Sequence, residues 1–545
     1  MAIRNYKNSL KIIKMKNITV ILLPLFATAM CLGCGCSESR DGEYGTPEKP
    51  EKPIVENRFL NRCDFENVTL TFTPNGPDYS VVTNPKREGL NRSEHCGKVV
   101  TAGNKWDLIW SEPLPRKLDF TRNAPVFKLK VLAPRAGAKV YFKIEPPQLG
   151  ESNPKALEVT DVVTTKTGEW EELEFDFTGM APESNMYQKI VLLFDAGGTS
   201  SGEKWYFDDI MCPDDDLTDI CLFQRYEGNP VFEPEGPASW RNKHIANAGI
   251  LSPANSPDGN WWLYCRGSGD VPYYCDQIGL YRQNASDFKP FGPWNEYEGN
   301  PVLPVGPVGS FDDGYLLDTA PVVGKDGVIY VYYQGNTTAH NAACLCVRYS
   351  TDGIHFTGID APLLKKGCSD AVYHDGKYYI YYGGGNPCRL YVSVTEDPLS
   401  LANSETYETI PIGGGPSNFD SYAVNGSMVF RLKGVDKWFA SYQGSSNSYD
   451  FPDRFHIAVS DDLIHWTKID NDRPLFTRGS RGEWDQGGIW FCEIFEHEDM
   501  LYLYYEGWGR KGYVPNRDEP YFSGCSRIGA AYVSKAEFLE WCGIK

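Results

Sequence analysis

The chain has 545 residues, which is too long for a single compact core and predicts two or three domains. Its formal net charge is -19, and a surface this acidic repels phosphate backbones, which argues against nucleic acid as a partner. Aromatic residues make up 14% of the chain, and the 53 Gly and 37 Pro favour an all-β fold with many turns and ring-lined clefts.

The first 33 residues are typical of an export signal. Lys11, Lys14 and Lys16 precede the apolar run 18–33, which is short for a membrane-spanning helix of about 20 residues. Residues 31–34, Cys-Leu-Gly-Cys, resemble a bacterial lipobox in which Cys replaces the usual Leu. The resemblance implies cleavage before Cys34 and acylation of that thiol. A plain secretory signal is the alternative.

Residues 34–56 are polar and rich in proline, and we expect them to form a tether. The acidic stretch after Cys34 is similar to the surface-export signals of Bacteroidetes lipoproteins. A lipid anchor implies a membrane partner and a location in the cell envelope, at the outer membrane or the cell surface.

Residues 57–213 contain short runs in which apolar and polar residues alternate with period two, separated by turn residues. This pattern predicts a β-sandwich. Its first segment, CDFENV, and its last, WYFDDI, resemble those of galactose-binding-like jelly rolls, the fold of many carbohydrate-binding modules.

That resemblance implies a structural calcium shared by the first and last strands. The alternative is that these acids lie in solvated turns. The candidate ligands are Glu66, Asp208 and Asp209.

One pattern occurs five times between residues 220 and 545. Each copy is an aromatic strand with a Gly two residues after a Cys or Tyr. Five units of several strands each predict a five-bladed β-propeller. The copies are WWLYCRG (261–267), IYVYYQG (329–335), YYIYYGG (378–384), WFASYQG (438–444) and LYLYYEG (501–507).

Residues 318–333, 368–382 and 459–466 resemble segments of the five-bladed glycosidases of families 43, 32, 117 and 130. The resemblance implies acids on the innermost strands of different blades, pointing into a pocket at the axis. One carboxylic acid would protonate the leaving oxygen, and another carboxylate would activate water or attack the sugar.

The candidate catalytic acids are Asp318, Asp370 and Glu493. Asp370, Glu493 and Pro321 each stand at the same distance before the Gly of their own motif, so a count without gaps makes them equivalent. Asp318 lies three residues before Pro321. We expect Asp370 and Glu493 to form the acid/base pair, with Asp318 as an orienting group or pKa modulator. The alternative for each is a strand-end acid that binds backbone N–H groups or a neighbouring Arg. The first-blade base of family 43 has no counterpart.

Two further sets of residues are predicted around these acids. Acids that follow an aromatic residue where a blade begins are expected to cap turns: Asp312, Asp313, Asp420 and Asp485. Arg266 and Arg454 are candidates to bind a sugar carboxylate or to form ion pairs. Trp484 and Trp490 are candidates to stack on a sugar or to pack in the core. The predicted substrate-binding residues are His244, Asn247, Arg266, Gln334, Gln443, Arg454, His456, Trp484 and Trp490.

Together these features predict an exported, membrane-anchored, exo-acting glycoside hydrolase for complex, plant-type oligo- or polysaccharides, with no cofactor required for chemistry. One alternative is a non-catalytic surface glycan-binding protein, which the missing first-blade acid favours. Another is a family-130-like mannoside phosphorylase or hydrolase. Two carboxyls facing the axis about 5–10 Å apart would favour hydrolysis, and a basic cluster beside a single acid would favour phosphorolysis.

Overall fold

The computed structural model describes residues 58–114, 117–146, 155–180, 187–339, 343–446, 452–480, 482–509 and 525–544. The predicted signal, the tether and Cys34 lie outside the described residues. The described part is nearly all β-structure with one short α-helix, which confirms the all-β prediction. None of its helices is long and apolar enough to cross a membrane.

The first region, from β1 to β11 (residues 59–213), contains two antiparallel sheets. One sheet has the order β3-β4-β11-β6-β9, with β1 also pairing β11, and the other has the order β2-β5-β10-β7-β8. The strands are β1 (Phe59–Cys63), β2 (Phe72–Asn75), β3 (Asp78–Thr83), β4 (His95–Ala102), β5 (Leu108–Ser111), β6 (Val126–Leu132), β7 (Val140–Glu145), β8 (Leu157–Val159), β9 (Trp170–Asp176), β10 (Lys189–Phe194) and β11 (Ser201–Pro213).

The two sheets share one hydrophobic core. In β7, Val140, Phe142 and Ile144 are buried while the residues between them are half-buried, as expected for a strand with one face on a core. Phe142 packs on Phe127 of the other sheet with ring centroids 5.0 Å apart. The period-two alternation in the sequence therefore marks the core face.

The second region contains the remaining strands and the helix. They are β12 (Gln224–Arg225), β13 (His244–Leu251), β14 (Trp261–Gly269), β15 (Cys275–Gln283), β16 (Asn295–Glu296), β17 (Tyr315–Val323), β18 (Ile329–Asn336), β19 (Cys344–Ser350), β20 (Thr357–Gly358), β21 (Asp370–His374), β22 (Lys377–Gly384), β23 (Arg389–Thr395), β24 (Glu405–Glu408), β25 (Ala423–Arg431), β26 (Trp438–Ser445), β27 (Arg454–Ser460), β28 (Thr467–Lys468), β29 (Phe476–Thr477), β30 (Gly488–His497), β31 (Met500–Trp508), β32 (Ser526–Ser534) and α1 (Lys535–Trp541).

Twenty of these 21 strands form five antiparallel groups of four, numbered in chain order, and β29 pairs with β27 of group four. A single parallel bridge, between Asp276 and Tyr315, joins groups one and two. Groups one to four are β13–β16, β17–β20, β21–β24 and β25–β28. Group five is β30, β31 and β32, completed by β12 from the start of the region. The first strands contact one another in succession, β13 with β17, β17 with β21, β21 with β25 and β25 with β30, and β30 contacts β13. The five first strands thus form a ring.

The repeated sequence motif lies in the second strand of every group, in β14, β18, β22, β26 and β31. The Tyr of three motifs donates a hydrogen bond to the Asp where its group begins. These bonds join Tyr333 to Asp312 at 2.7 Å, Tyr442 to Asp420 at 3.5 Å and Tyr505 to Asp485 at 2.8 Å. Asp313 accepts bonds from two backbone N–H groups. The structural role predicted for these acids agrees with these contacts.

Candidate active site

Four of the five first strands contain a β-bulge at the same register position. The bulged residues have positive φ: Asn247 at 51°, Asp318 at 58°, Gly426 at 58° and Phe491 at 33°. Positive φ is sparsely populated for residues other than Gly, and bulges re-aim side chains next to functional sites. In β17 the bulge directs Asp318 to the pocket described next.

A cavity of about 400 Å³ lies beside these bulges. Among the described residues that line it, Asp318 is the one acid. Gln334 and Asn425 supply amides, and Trp490 and Phe491 supply aromatic surface. The opposite wall is formed by Lys365, Lys366, Gly367, Cys368, Gly383, Gly384, Gly385 and Cys388, with Ala343. We call this cavity the axial pocket.

Asp318 has the properties of a proton donor. Its side chain is buried, and no described residue donates a hydrogen bond to its carboxylate. Burial raises the pKa of Asp318 to about 7; Arg266 opposes this shift, and the negative charges of Glu506 and Asp276 add to it. A carboxyl with a pKa near neutrality can both hold and release a proton at physiological pH.

Glu506 is a second carboxylate close enough to act on the pKa of Asp318. It pairs with Arg266 at 3.2 Å and accepts a hydrogen bond from the indole N–H of Trp508 at 2.8 Å. Burial raises the pKa of Glu506, against the opposing effect of Arg266. Glu506 is the residue before the Gly of the fifth sequence motif and is not among the predicted site residues. The available signal was that this position holds an acid in group five alone.

His244 and Asn247 lie at the start of β13, close to this pair of acids. His244 is buried, accepts a hydrogen bond from the Ser526 N–H at 2.9 Å, and packs against Trp508 at 5.3 Å. Burial, followed by Arg266 and Lys243, lowers the pKa of His244 to about 3, so the imidazole is neutral. Asn247 accepts a bond from the backbone N–H of Thr319 at 2.9 Å.

Asp370 and Glu493 do not line the axial pocket. Asp370 accepts hydrogen bonds from the backbone N–H groups of Ala371 at 2.8 Å and Val429 at 2.5 Å. The backbone N–H of Ile250 favours the charged form of Glu493, whereas the negative charge of Asp370 disfavours it. Burial raises the pKa of both carboxyls, that of Asp370 to about 7. These contacts match the alternative role of acids that bind backbone N–H groups, and the acid/base roles of the two residues stay a prediction.

The other predicted binding residues divide between the pocket and the interior. Gln334 and Trp490 line the pocket. Gln443 is buried and accepts a hydrogen bond from the Phe491 N–H at 2.8 Å, next to the pocket wall. Trp484 is half-buried, stacks on Tyr505 with ring centroids 5.8 Å apart and packs against a hydrophobic core.

Arg454 and His456 are also placed elsewhere. Arg454 is buried in an ion pair with Asp119 of the first region and lies 3.5 Å from Asp453. His456 is buried beside Trp541 and contacts the Ile469 carbonyl at 2.7 Å. Both side chains serve internal contacts because β27 turns them away from the pocket and into the packed interior.

The three predicted calcium ligands have separate protein partners. Glu66 accepts hydrogen bonds from the backbone N–H groups of Glu94 and His95. Asp208 accepts one from Asn91 at 2.8 Å, and Asp209 pairs with Lys130 at 2.5 Å. In the described parts of the chain, no three His, Cys, Asp or Glu side chains are grouped to hold a metal ion. A cation here would have to displace Lys130, and the calcium site stays a prediction.

No protein-family model and no curated protein matches the chain. Among solved structures it is similar to an N-acetylgalactosamine deacetylase from F. plautii in complex with blood group B trisaccharide, at 14% identity and a TM-score of 0.45, covering 58% of this chain and 97% of that one. It is also similar to a glycosyl hydrolase from Bacteroides ovatus, at 14% identity and a TM-score of 0.40, covering 59% and 96%.

A third similar structure comes from the GH130 family of mannoside phosphorylases, which contains glycoside hydrolases that target beta-1,2 mannosidic linkages in Candida mannan. Its identity is 17% and its TM-score 0.41, covering 58% of this chain and 94% of that one. At these values the similarities do not decide the activity of this chain, which has to be argued from its own site.

Proposed function

We propose that the chain is an exo-acting glycoside hydrolase whose axial pocket receives the terminal sugar of a glycan. The observation that carries the proposal is Asp318, a buried carboxyl without a described hydrogen-bond donor, with a pKa of about 7, on the wall of a polar and aromatic pocket. Perturbed acids in concave pockets are typical of catalytic sites.

We further propose that the second region is a five-bladed β-propeller and the first a jelly-roll sandwich. The five antiparallel groups, the ring of first strands and the completion of group five by β12 support the propeller. In such a ring the first strands line the axis, which is where β17 carries Asp318.

In the proposed reaction, Asp318 donates its proton to the glycosidic oxygen as the bond between that oxygen and the anomeric carbon breaks. Water supplies the new oxygen on the anomeric carbon, and we assign acceptance of its proton to Glu506, which is buried beside Asp318 and is not among the residues that line the pocket. Arg266 and the Trp508 indole favour the charged form of Glu506, against the burial that raises its pKa. Trp490 offers a ring face for the sugar, and Gln334 and Asn425 offer donors and acceptors for its hydroxyls.

The test compares Asp318→Asn and Glu506→Gln with the wild type on a panel of aryl glycosides with good and poor leaving groups. Loss of the proton donor should reduce turnover of substrates with poor leaving groups by about 10²–10⁴-fold. Substrates whose leaving group needs no proton should lose much less in Asp318→Asn. Glu506→Gln should be impaired with every leaving group. Unchanged turnover in both variants would reject this site.

A second candidate is a glycan-binding protein without catalysis. The observation that favours it is that Asp370 accepts two backbone N–H groups and that neither Asp370 nor Glu493 lines the pocket, which leaves Asp318 as the acid among its described lining residues. Binding of an oligosaccharide with unchanged affinity in Asp318→Asn, together with no turnover of any substrate by the wild type, would support this candidate.

We also propose attachment to the cell envelope through a lipid on Cys34, on the basis of the sequence of residues 18–34. Metabolic labelling with a fatty acid analogue should label the wild-type chain and not Cys34→Ala. Equal labelling of both chains would contradict the anchor.

A further inference from the structure

Two consecutive lysines lie on the wall of the axial pocket. Lys365 is exposed, and Lys366 is half-buried with its ammonium 5.9 Å from the ring centroid of Tyr391. Gly384 leaves room for Lys366, since a Cβ at that position would come within 2.7 Å of its Nζ. No described acid forms an ion pair with either lysine.

Two other cations of the second region, on strands β14 and β28, have anionic partners. Arg266 pairs with Glu506 at 3.2 Å, and Lys468 pairs with Asp420. The chain as a whole has 72 acidic and 53 basic side chains, so an anion approaching it meets a repulsive field. Two lysines without acidic partners on one pocket wall therefore form a local attractive point for an anion.

The lysines occupy the solvent side of the pocket, and Asp318 occupies its buried side. Lys366 lies against Gly384 and near Cys388, beside the exposed Gly385. Asp318 is 9% exposed, and the cation that acts on its pKa is Arg266 rather than either lysine. An anionic group held by the lysines would therefore lie apart from the bond that Asp318 protonates.

We propose that the axial pocket takes an acidic sugar, whose carboxylate or sulfate ester is bound by Lys365 and Lys366 while its glycosidic oxygen faces Asp318. This inference rests on the proposed function only in that the pocket binds a glycan. Because the anion sits at the rim, it selects the substrate and takes no part in the bond-breaking step. The substrate class is then acidic glycans, either uronic-acid-containing or sulfated.

The test is calorimetric titration of the full chain with glucuronic acid, galacturonic acid, glucose 6-sulfate, the neutral parent sugars and inorganic phosphate. The proteins are wild type, the double variant Lys365→Ala/Lys366→Ala and the control Lys377→Ala, an exposed lysine of the adjoining strand β22. Acidic sugars should bind at least about tenfold more tightly than their neutral parents, corresponding to about 1.4 kcal/mol. The double variant should lose that preference, and the control should keep it.

Raising the salt concentration should weaken binding of the acidic sugars to wild type and leave neutral sugars unaffected. Comparing the affinities for the uronic acids with the affinity for glucose 6-sulfate shows which acidic group is preferred. Neutral sugars that bind as tightly as acidic ones would overturn the inference, as would equal losses in the double variant and the control. Inorganic phosphate that binds as tightly as the acidic sugars would also overturn it, since the lysines would then hold a free anion.

Failure of the proposed function gives a different result. If acidic sugars bind through the lysines and the wild type cleaves none of the corresponding glycosides, the inference stands and hydrolysis is rejected. If glycosides are cleaved and binding shows no acidic preference, hydrolysis stands and the inference is rejected.

Discussion

The carboxylate of Asp370 accepts a hydrogen bond from the backbone N–H of Val429 at 2.5 Å, so that a side chain of group three holds a strand of group four. The backbone N–H of Ile250 in group one likewise favours the charged form of Glu493 in group five. In the strand register, Asp370 is paired with Tyr381 and Glu493 with Tyr504. Each of these tyrosines lies three residues before the Gly of its motif. At this register position an acid connects neighbouring first strands.

Asp370→Asn should therefore lower the free energy of unfolding. Its two carboxylate oxygens each accept a backbone N–H, whereas an amide can accept through one oxygen and leaves the other N–H without a partner, a cost of about 1–3 kcal/mol. Chemical denaturation at neutral pH measures the change. Asp375→Asn is the matched control, since Asp375 is exposed at the end of the same hairpin. If Asp370→Asn unfolds with the same free energy as the wild type but has lost turnover, Asp370 is catalytic rather than structural.

Asp318→Asn should show the opposite combination. Turnover of glycosides with poor leaving groups should fall by about 10²–10⁴-fold because the proton donor is gone. Stability should be unchanged or increased, because the variant removes a buried carboxyl that no described residue hydrogen-bonds. Asn also tolerates positive φ, and Asn247 occupies the equivalent bulge in group one. Activity assays and denaturation curves of the same preparations test both halves. A large loss of stability would show that Asp318 is structural.

The sequence predicted the repeated architecture better than the chemistry. The five aromatic motifs all lie in second strands, because an aromatic strand followed by a close-packed Gly is a local pattern. Asp312, Asp420 and Asp485 could be told apart from the catalytic candidates because an Asp after an aromatic residue occurs at the start of several groups. The pairing of each with the motif Tyr explains that recurrence.

The direction of each inner-strand acid could not be predicted in the same way. A gap-free count makes Pro321 equivalent to Asp370, but in the structure Ala320 is the equivalent residue, since it faces Tyr332, three residues before the repeat glycine. The turn of five residues between β17 and β18 causes this difference, since the hairpins that begin with Asp370 and Glu493 have turns of two residues. The bulge on the other side of Ala320 directs Asp318 to the pocket. Bulges and contacts between first strands depend on long-range packing, which leaves no local pattern.

The pH dependence of turnover should report the pKa of Asp318. The protonated form is the active one, and its pKa is raised to about 7, so the rate should fall as the pH rises through about 7. Initial rates between pH 5 and 9 on a substrate with a poor leaving group measure this limb. A substrate with a good leaving group is the control, because it needs no proton from Asp318. The same alkaline limb with both substrates would assign it to another group.

The same shift affects stability. The folded-state pKa of Asp318 is above its unfolded value, so the folded state binds the proton more tightly. Its contribution is fully present below the unfolded pKa of about 4 and is lost as the pH rises through about 7, at a slope of up to about 1.4 kcal/mol per pH unit. Asp318→Asn should have a shallower decline in unfolding free energy between pH 4 and 7 than the wild type. Identical slopes would contradict the raised pKa.

Arg266→Gln should shift the alkaline limb of turnover to higher pH. Arg266 favours the charged forms of both Asp318 and Glu506, and removing that cation raises the pKa of each carboxyl. The measurement is the pH profile of kcat/KM, and overall activity should also fall because Glu506 loses its partner. Arg431→Gln is the control, an arginine that pairs with the exposed Asp436 instead. A limb that moves to lower pH would contradict the assigned electrostatics.

Arg454→Met should destabilise the protein without changing sugar binding. Arg454 is buried with Asp119 of the first region, so the variant leaves a buried carboxylate without its cation, at a cost of about 3–5 kcal/mol. Arg431→Met breaks the exposed pair with Asp436 and should cost at most about 1 kcal/mol. Denaturation curves measure both variants, and titration with an oligosaccharide below the transition measures binding. If Arg454→Met weakens binding while leaving the unfolding free energy unchanged, Arg454 serves the sugar rather than the contact between the two regions.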